Sequence, residues 1–269
     1  MNSELNGKHV LVTGASGGIG QAIAEQFDDE KSVLSLHYHT NEIGIHELQS
    51  KLKGKHSFFQ ADLSSESSTS NMFSKAIEEN GRIDVLIVNH GIWPEKYTPT
   101  HEMPLEQWDK TIDINLRAAF ICSKEFLNNL EEHSGDYGSI VYISSTAGLF
   151  GEAGHVDYSV SKSGLYGMML SIKNEIVHLA RFGRVNVVAP GWTISPMTQK
   201  FMSDHDGIRS ALQTMPLRKL ARTRDIASMV VFLSSDKLSG HISGQLITVA
   251  GGMEGRKLFD PEEINISRI

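Results

Sequence analysis

The octapeptide Thr13-Gly14-Ala15-Ser16-Gly17-Gly18-Ile19-Gly20 follows an apolar run, His9–Val12, and opens an amphipathic stretch over 18–29. Four glycines in eight residues weaken strand and helix alike, so the chain must turn there. A strand that turns straight into a helix cannot meet its successor through a hairpin. The helix carries the chain back, and the next strand lies parallel to the first. Few local features narrow the choice of fold so far.

The rest of the chain repeats that unit. Apolar runs of strand length occur at Val33–Tyr38, Ser57–Gln60, Val85–Val88, Ile140–Ile143, Val185–Val188 and Leu246–Val249. Helical patterns fall between them near 42–53, 67–80, 105–131, 157–181 and 223–235. The alternation predicts an α/β fold, a doubly wound parallel sheet of seven strands buried on both faces. Residues 1–269 suffice for one such domain and show no internal repeat or linker. Residues 191–221 carry no clear strand and read either as a surface excursion or as a mobile substrate lid.

Charge and cysteine content exclude several roles. Net charge is −7, from 25 basic and 32 acidic residues, without a dense Lys/Arg stripe, so no nucleic-acid surface is expected. Cys122 is the one cysteine, which rules out an intrachain disulfide. No apolar run approaches the roughly 20 residues that span a bilayer. The polar N-terminus lacks the apolar core of a signal peptide. A soluble, cytoplasmic protein is expected.

In the glycine turn, Gly14 permits the tight bend, Gly18 the approach of a pyrophosphate, and Gly20 the packing of helix on strand. The helix N-terminus there offers unpaired N–H groups to phosphate. Farther on, Tyr158 and Lys162 stand four apart, which places phenol and ammonium on one helical face. The nearby cation is expected to lower the phenol's pKa toward neutrality, fitting it to exchange a proton with a substrate oxygen. Ser145 precedes Tyr158 by thirteen residues, at the end of the fifth strand, where its hydroxyl could stabilise charge on that oxygen.

In this order and spacing, TGASGGIG, Asp62 in QADLS, VNHG at 88–91, Asn115 in DINL, Ser145, Tyr158/Lys162 and Pro190-Gly191 resemble the short-chain dehydrogenase/reductase family. The resemblance runs from about residue 6 to residue 253. It implies a Rossmann-like sheet of order 3-2-1-4-5-6-7, a nicotinamide cofactor and carbonyl–alcohol interconversion. It also implies Tyr158 as general acid, Lys162 on the nicotinamide ribose, and Asn115 bending its helix and holding a water that relays protons from Lys162. For the cofactor it implies contacts from Gly14, Ser16, Gly18, Ile19, Gly20, Asp62, Leu63, Asn89, Gly91, Pro190, Gly191 and Thr193. Homotetramers or homodimers are its usual assemblies. His90 departs from the family's usual alanine and is either a structural histidine or a substrate contact.

The residue at the end of the second strand bears on the choice of coenzyme. The family's ribose-binding acid corresponds to His37, so no carboxylate repels a 2′-phosphate. His39 and Thr40, followed by Asn41, offer hydrogen-bond donors, and LHYHTN is similar to a turn of some NADP-dependent relatives. NADP is therefore expected over NAD. Strand alternation separates His37 from its histidine neighbours, and no metal site is expected.

Ligands of such sheets bind beyond the carboxyl ends of the strands. Trp93, Phe150, Trp192, Met197, Phe201 and Met202 are candidates for an apolar wall, with His155 for polar recognition. Glu152 and Asp157 would accept hydrogen bonds from a sugar or polyol, whereas Lys200 and Arg209 could serve an anionic acyl carrier thioester. A 3-oxoacyl-(acyl carrier protein) reductase and a sugar or polyol dehydrogenase both stay open, as does a non-catalytic NAD(P)-sensing regulator. Gly164 and Gly167 suggest a subunit interface, and the tail 254–269, with Leu258 and Phe259, is expected to dock on a neighbouring subunit.

Overall fold

The computed structural model describes residues 2–199 and 203–266. Strands β1 (His9–Val12), β2 (Val33–Tyr38), β3 (His56–Gln60), β4 (Val85–Val88), β5 (Tyr137–Ile143), β6 (Phe182–Pro190) and β9 (Leu246–Val249) form one sheet of order 3-2-1-4-5-6-9. Every adjacent pair is parallel. The expected order holds, with β9 as the seventh strand. Two short strands, β7 (Thr193–Ile194) and β8 (Ala221–Arg222), intervene in sequence and pair with each other.

Period-two alternation divides the apolar strands between two layers. Leu11, Leu86, Val88, Ile140, Tyr142, Val185 and Val187 pack with Phe73, Phe126, Leu165 and Met169 of helices α3 (Glu66–Asn80), α5 (Ala118–Glu132) and α7 (Val156–Glu175). Val10, Val12, Leu34, Leu36, Val85, Ile87, Val141 and Ile143 pack with Ile23 and Phe27 of α1 (Gly18–Asp29) and with Ile226 and Val230 of α10 (Thr223–Ser234). Each such side chain contributes about 1.5–3 kcal/mol by leaving water. A one-residue slip would exchange the two sets, so the register is firmly specified.

Three helices differ from their expected extents. The one expected over 42–53 is α2 (Glu42–Gln49); the Asp28 carboxylate then draws the chain into a turn by accepting from Lys53 N at 2.9 Å and Gly54 N at 2.7 Å. The one expected over 105–131 is divided into α4 (Leu105–Ile112), a π-turn (Asp113–Arg117) and α5. Helix α7 ends at Glu175 and tightens into a 3₁₀ turn, Ile176–His178.

The excursion after β6 is more ordered than its sequence suggests. It contains β7, α8 (Pro196–Gln199) and α9 (His205–Leu212), and returns through β8. Ile208, Ala211, Leu212, Met215 and Leu220 bury a cluster of their own against Ile264, with Ile194, Met253, Phe259 and Ile266 packed around it. The tail thus covers this excursion of its own chain, with Phe259 packed against that cluster. Gln213 fastens it, accepting from Leu258 N at 2.7 Å and donating to Phe259 O at 2.8 Å. The Arg218 guanidinium lies 4.5 Å from the centre of the Phe259 ring. The expectations for Lys200, Phe201, Met202 and the Met197 side chain lie outside the described residues.

Candidate active site

Strand order reverses between β1 and β4, and the loops at that point open a cleft of about 1020 Å³. Its floor begins at the glycine turn. Gly14 has φ +64°, and a Cβ there would stand 2.9 Å from His90 Cα. At Gly20 a Cβ would fall 2.2 Å from the Gly14 carbonyl oxygen. Glycine is thus demanded at both positions by close backbone approach. Pro196 of the excursion lies over the turn, its Cδ 2.6 Å from where a Gly18 Cβ would be.

Ser16, Gly18, Ile19, His37, His39, Thr40, Asp62, Leu63, Asn89, Gly91, Pro190, Gly191 and Thr193 all line this cleft. His37, at the position of the family's ribose-binding acid, is tied into the glycine turn. It accepts from Gly14 N at 3.0 Å through Nδ1, and its Nε2 lies 3.1 Å from Ala61 O, so both nitrogens are engaged in holding the turn. Burial lowers its pKa to about 4, leaving it neutral with the proton on Nε2. Asp62 accepts from Ser64 Oγ at 2.7 Å and Ser64 N at 3.0 Å, bonds that keep its carboxylate ionised. Asn89 ties β4 to the turn through Thr13 O and Gly14 O, at 3.1 and 3.0 Å. His90 also lines the cleft: its Nδ1 is 2.8 Å from Thr13 Oγ1, and burial lowers its pKa to about 3.

Sequence reading missed Gly44, Glu47, Ser195, Pro196 and Thr198, which also line the cleft. One signal was available in Asn41, a helix cap: its Oδ1 accepts from Gly44 N at 3.1 Å, while its Nδ2 donates to Ser16 O at 3.1 Å. The cap thereby brings α2 against the glycine turn.

Deeper in the cleft, Ser145 follows β5 and lines the pocket together with Tyr158, its hydroxyl near enough to act on the phenol. Lys162 is buried one turn along α7, its Nζ donating to Ile143 O at 3.0 Å and lying 5.9 Å from the Tyr158 ring centre. Burial lowers the Lys162 pKa to about 8. Tyr158 corrects an expectation. Burial pushes its hydroxyl up to about 12 against the opposing influence of the Ser145 hydroxyl, with the Glu152 carboxylate adding to the rise. The phenol is therefore a firmly protonated donor in the protein alone. Ser144 turns away and donates to Lys162 O at 2.8 Å, which fixes α7 on the sheet.

Asn115 does not line the cleft. From the π-turn its Oδ1 accepts from Ile92 N at 2.7 Å, while Nδ2 donates to Ile92 O at 2.9 Å and Ser161 Oγ at 3.0 Å. It clamps the loop after β4 onto α7. A Cβ on Gly91 would stand 3.1 Å from both Asn115 Oδ1 and Lys162 Nζ, so any larger residue would press on both groups.

The open end is walled by Trp93, Phe150, Glu152, Trp192 and Met253. His155 is not part of that wall. It is buried behind Trp93, ring centroids 4.9 Å apart at 20°, and supports the indole. Asp157 is also withdrawn from the expected substrate contacts: fully buried, it accepts from Thr111 Oγ1 at 2.8 Å and Gln107 Nε2 at 3.1 Å.

A family model described as enoyl-(acyl carrier protein) reductase matches residues 14–254. The 3-oxoacyl-(acyl-carrier-protein) reductase FabG of Rickettsia felis is 38% identical over 251 residues, 93% of this chain and 98% of its own. This chain belongs to the short-chain dehydrogenase/reductase family. Glucose 1-dehydrogenase 2 of Bacillus subtilis is 31% identical over 256 residues, 94% of this chain and 97% of its own. Among solved structures, a putative short-chain alcohol dehydrogenase from Sinorhizobium meliloti superposes with a TM-score of 0.86 at 29% identity, covering 93% of this chain and 98% of its own. As a short-chain dehydrogenase/reductase, the protein is an oxidoreductase of C=O and CH–OH groups that uses a nicotinamide cofactor. No helix among the described residues is long and apolar enough to cross a membrane.

Proposed function

We propose that the protein interconverts a small carbonyl compound and its secondary alcohol through Ser145, Tyr158 and Lys162, with NADP as the preferred coenzyme. The observation that carries this reading is the convergence of those three side chains in the cleft that starts at the glycine turn. The cleft also fits the cofactor: Gly14 and Gly20 leave no room for a Cβ at its floor, and Lys162 brings a buried cation to its deep end. Bound nicotinamide supplies the hydride chemistry. The Tyr158 hydroxyl donates its proton to the carbonyl oxygen during reduction and recovers it during oxidation. Ser145 donates a hydrogen bond to the same oxygen as negative charge grows there. Lys162 holds the nicotinamide ribose, and Asn115 keeps Gly91 and Ile92 against that group.

NADP is favoured because His37 stands where a ribose-binding acid would, leaving no carboxylate to repel a 2′-phosphate, and His39, Thr40 and Asn41 follow as donors, with Asp62 for the adenine. Dissociation constants of the two coenzymes test the preference; tenfold tighter binding of NAD overturns it. Assay of purified protein for NADPH consumption against ketones, oxoacyl thioesters, sugars and polyols tests the reaction. Absence of turnover across that panel sinks it.

The excursion 191–221 serves as a substrate lid in this reading, held by the tail 254–269. Assembly as a homodimer or homotetramer is supported by exposed Phe120, Tyr166 and Leu170 and by open space at Gly167, although Gly164 is filled by Leu116 of its own chain. Light scattering at working concentration tests the assembly, and a monomer mass refutes it.

A further inference from the structure

We propose that Glu152 determines substrate choice, its carboxylate accepting a hydrogen bond from a hydroxyl of a neutral sugar or polyol and disfavouring anionic substrates. The inference deepens the reaction proposed above and rests on it.

Three carboxylates line the cleft among the described residues. Asp62 and Glu47 stand at the ends of the elements that frame the glycine turn, and Asp62 is occupied by Ser64. Glu152 is on the wall with Trp93 and Phe150, near enough for its charge to be felt at Tyr158. The loop itself is fixed: Glu152 N donates to Ser159 Oγ at 3.1 Å, and Glu152 O accepts from His155 N at 3.1 Å. The carboxylate is aimed as well. Its Oε2 accepts from Trp93 Nε1 at 3.4 Å, and Oε1 is 3.6 Å from Nδ1 of His155, which stacks beneath the same indole.

A carboxylate has about four acceptor directions and no donor, so this arrangement leaves capacity for substrate hydroxyls. An anion here would meet Glu152 with Lys162 as the one Lys or Arg side chain lining the cleft among the described residues. Lys162 is already committed to Ile143 O. Phosphate-bearing acyl carrier thioesters are anions and meet the same repulsion. An uncharged polyol adds donors without adding charge.

The test compares the unaltered protein with Glu152→Gln and Glu152→Leu, using NADP(H) and matched ketones. One ketone carries neighbouring hydroxyls, one is plain, and one carries a carboxylate; a 3-oxoacyl thioester is included. A hydrogen bond to a charged acceptor predicts about a 10–100-fold preference in kcat/KM for the hydroxylated over the plain ketone. In Glu152→Leu that ratio should fall toward one, mainly through KM. Glu152→Gln, which keeps an acceptor of the same shape but no charge, should retain the hydroxyl preference and gain on the anionic ketone. A preference that survives Glu152→Leu, or faster turnover of the oxoacyl thioester than of the hydroxylated ketone, overturns the proposal.

Calorimetric titration of the NADP-loaded proteins with a polyol separates this site from the reaction. Binding that is weakened in Glu152→Leu and kept in Tyr158→Phe upholds the site even if no substrate turns over, the failure then belonging to the reaction. Equal polyol binding by the Leu variant and the unaltered protein refutes it.

Discussion

Lys162 donates to the carbonyl oxygen of Ile143 at 3.0 Å while standing 5.9 Å from the centre of the Tyr158 ring. The ammonium is thereby anchored to the last residue of β5 instead of to the phenol beside it. Helix and strand are joined at the depth where the cofactor would lie.

Tyr158→Phe is expected to keep coenzyme affinity and to lose about 10²–10⁴-fold in kcat, the contribution of a positioned proton donor. Coenzyme titration paired with steady-state rates checks both halves. Residual activity within tenfold of the unaltered protein would remove Tyr158 from its role.

Lys162→Met should destroy turnover yet raise stability at pH 7. Burial depresses the lysine's pKa from 10.5 to about 8, so at neutral pH the folded state holds a buried ammonium at a cost. Between about 8 and 10.5 the unfolded chain binds the extra proton, and folding stability rises with pH across that window. The substitution removes the cost but orphans Ile143 O, for a net gain on the order of 1–2 kcal/mol. At roughly 2–4 °C per kcal/mol, melting temperatures of the cofactor-free variant should lie above those of the unaltered protein at pH 7. They should cross them as pH rises through that window and fall below them near pH 10.5, where only the orphaned Ile143 O distinguishes the two. A lower melting temperature at pH 7 contradicts the prediction.

Acid should destabilise the protein through its buried histidines. His9, His37 and His90 all have pKa values depressed chiefly by burial, to about 4 for His37 and about 3 for His90. The unfolded chain takes up protons near 6.5 while the folded one resists, so stability is full above that value and declines as pH falls toward 4 and below. Urea midpoints measured from pH 7 to pH 4 should fall, and His90→Ala should flatten the decline. A flat profile refutes it.

Phe259→Ala is expected to loosen the excursion more than the sheet. Its ring packs against the cluster to which Ile208, Leu212 and Met215 belong and carries the Arg218 guanidinium. Loss of a large apolar side chain from such a cluster costs about 3–5 kcal/mol when it is fully buried and less here, where it is half-buried. Hydrogen exchange should quicken over 205–215 and stay unchanged in β1 and β4. Uniform acceleration throughout would show that the excursion is not a separate unit.

The sheet was readable from sequence because strands buried on two faces are apolar at nearly every residue, as in His9–Val12 and Val85–Val88. The π-turn was not readable, since Asp113–Arg117 continues the apolar pattern of a regular helix. The glycine turn followed from its local spacing, whereas Asp62, Asn89, Pro190 and the other distant residues expected in the cleft followed from the family resemblance. The tie of His37 to that turn followed from neither, because its partners Gly14 and Ala61 are distant in sequence. His155 and Asp157 failed as substrate contacts for a related reason. One residue's difference along α7 decides whether a side chain faces the cleft, as Tyr158 does, or the packing behind it.

The widened turn at Asp113–Arg117 preserves the rotational phase of everything after it. Each residue advances a helix by about 100°. Excising a single amino acid there would let α4 and α5 fuse into an unbroken cylinder. Because the wide turn takes up one surplus residue, Ala119, Cys122 and Phe126 would keep their place in the interior, and what would be lost is the displaced position from which Asn115 grips Ile92. In-frame loss of one codon in this stretch should therefore spare the packing and cost the grip.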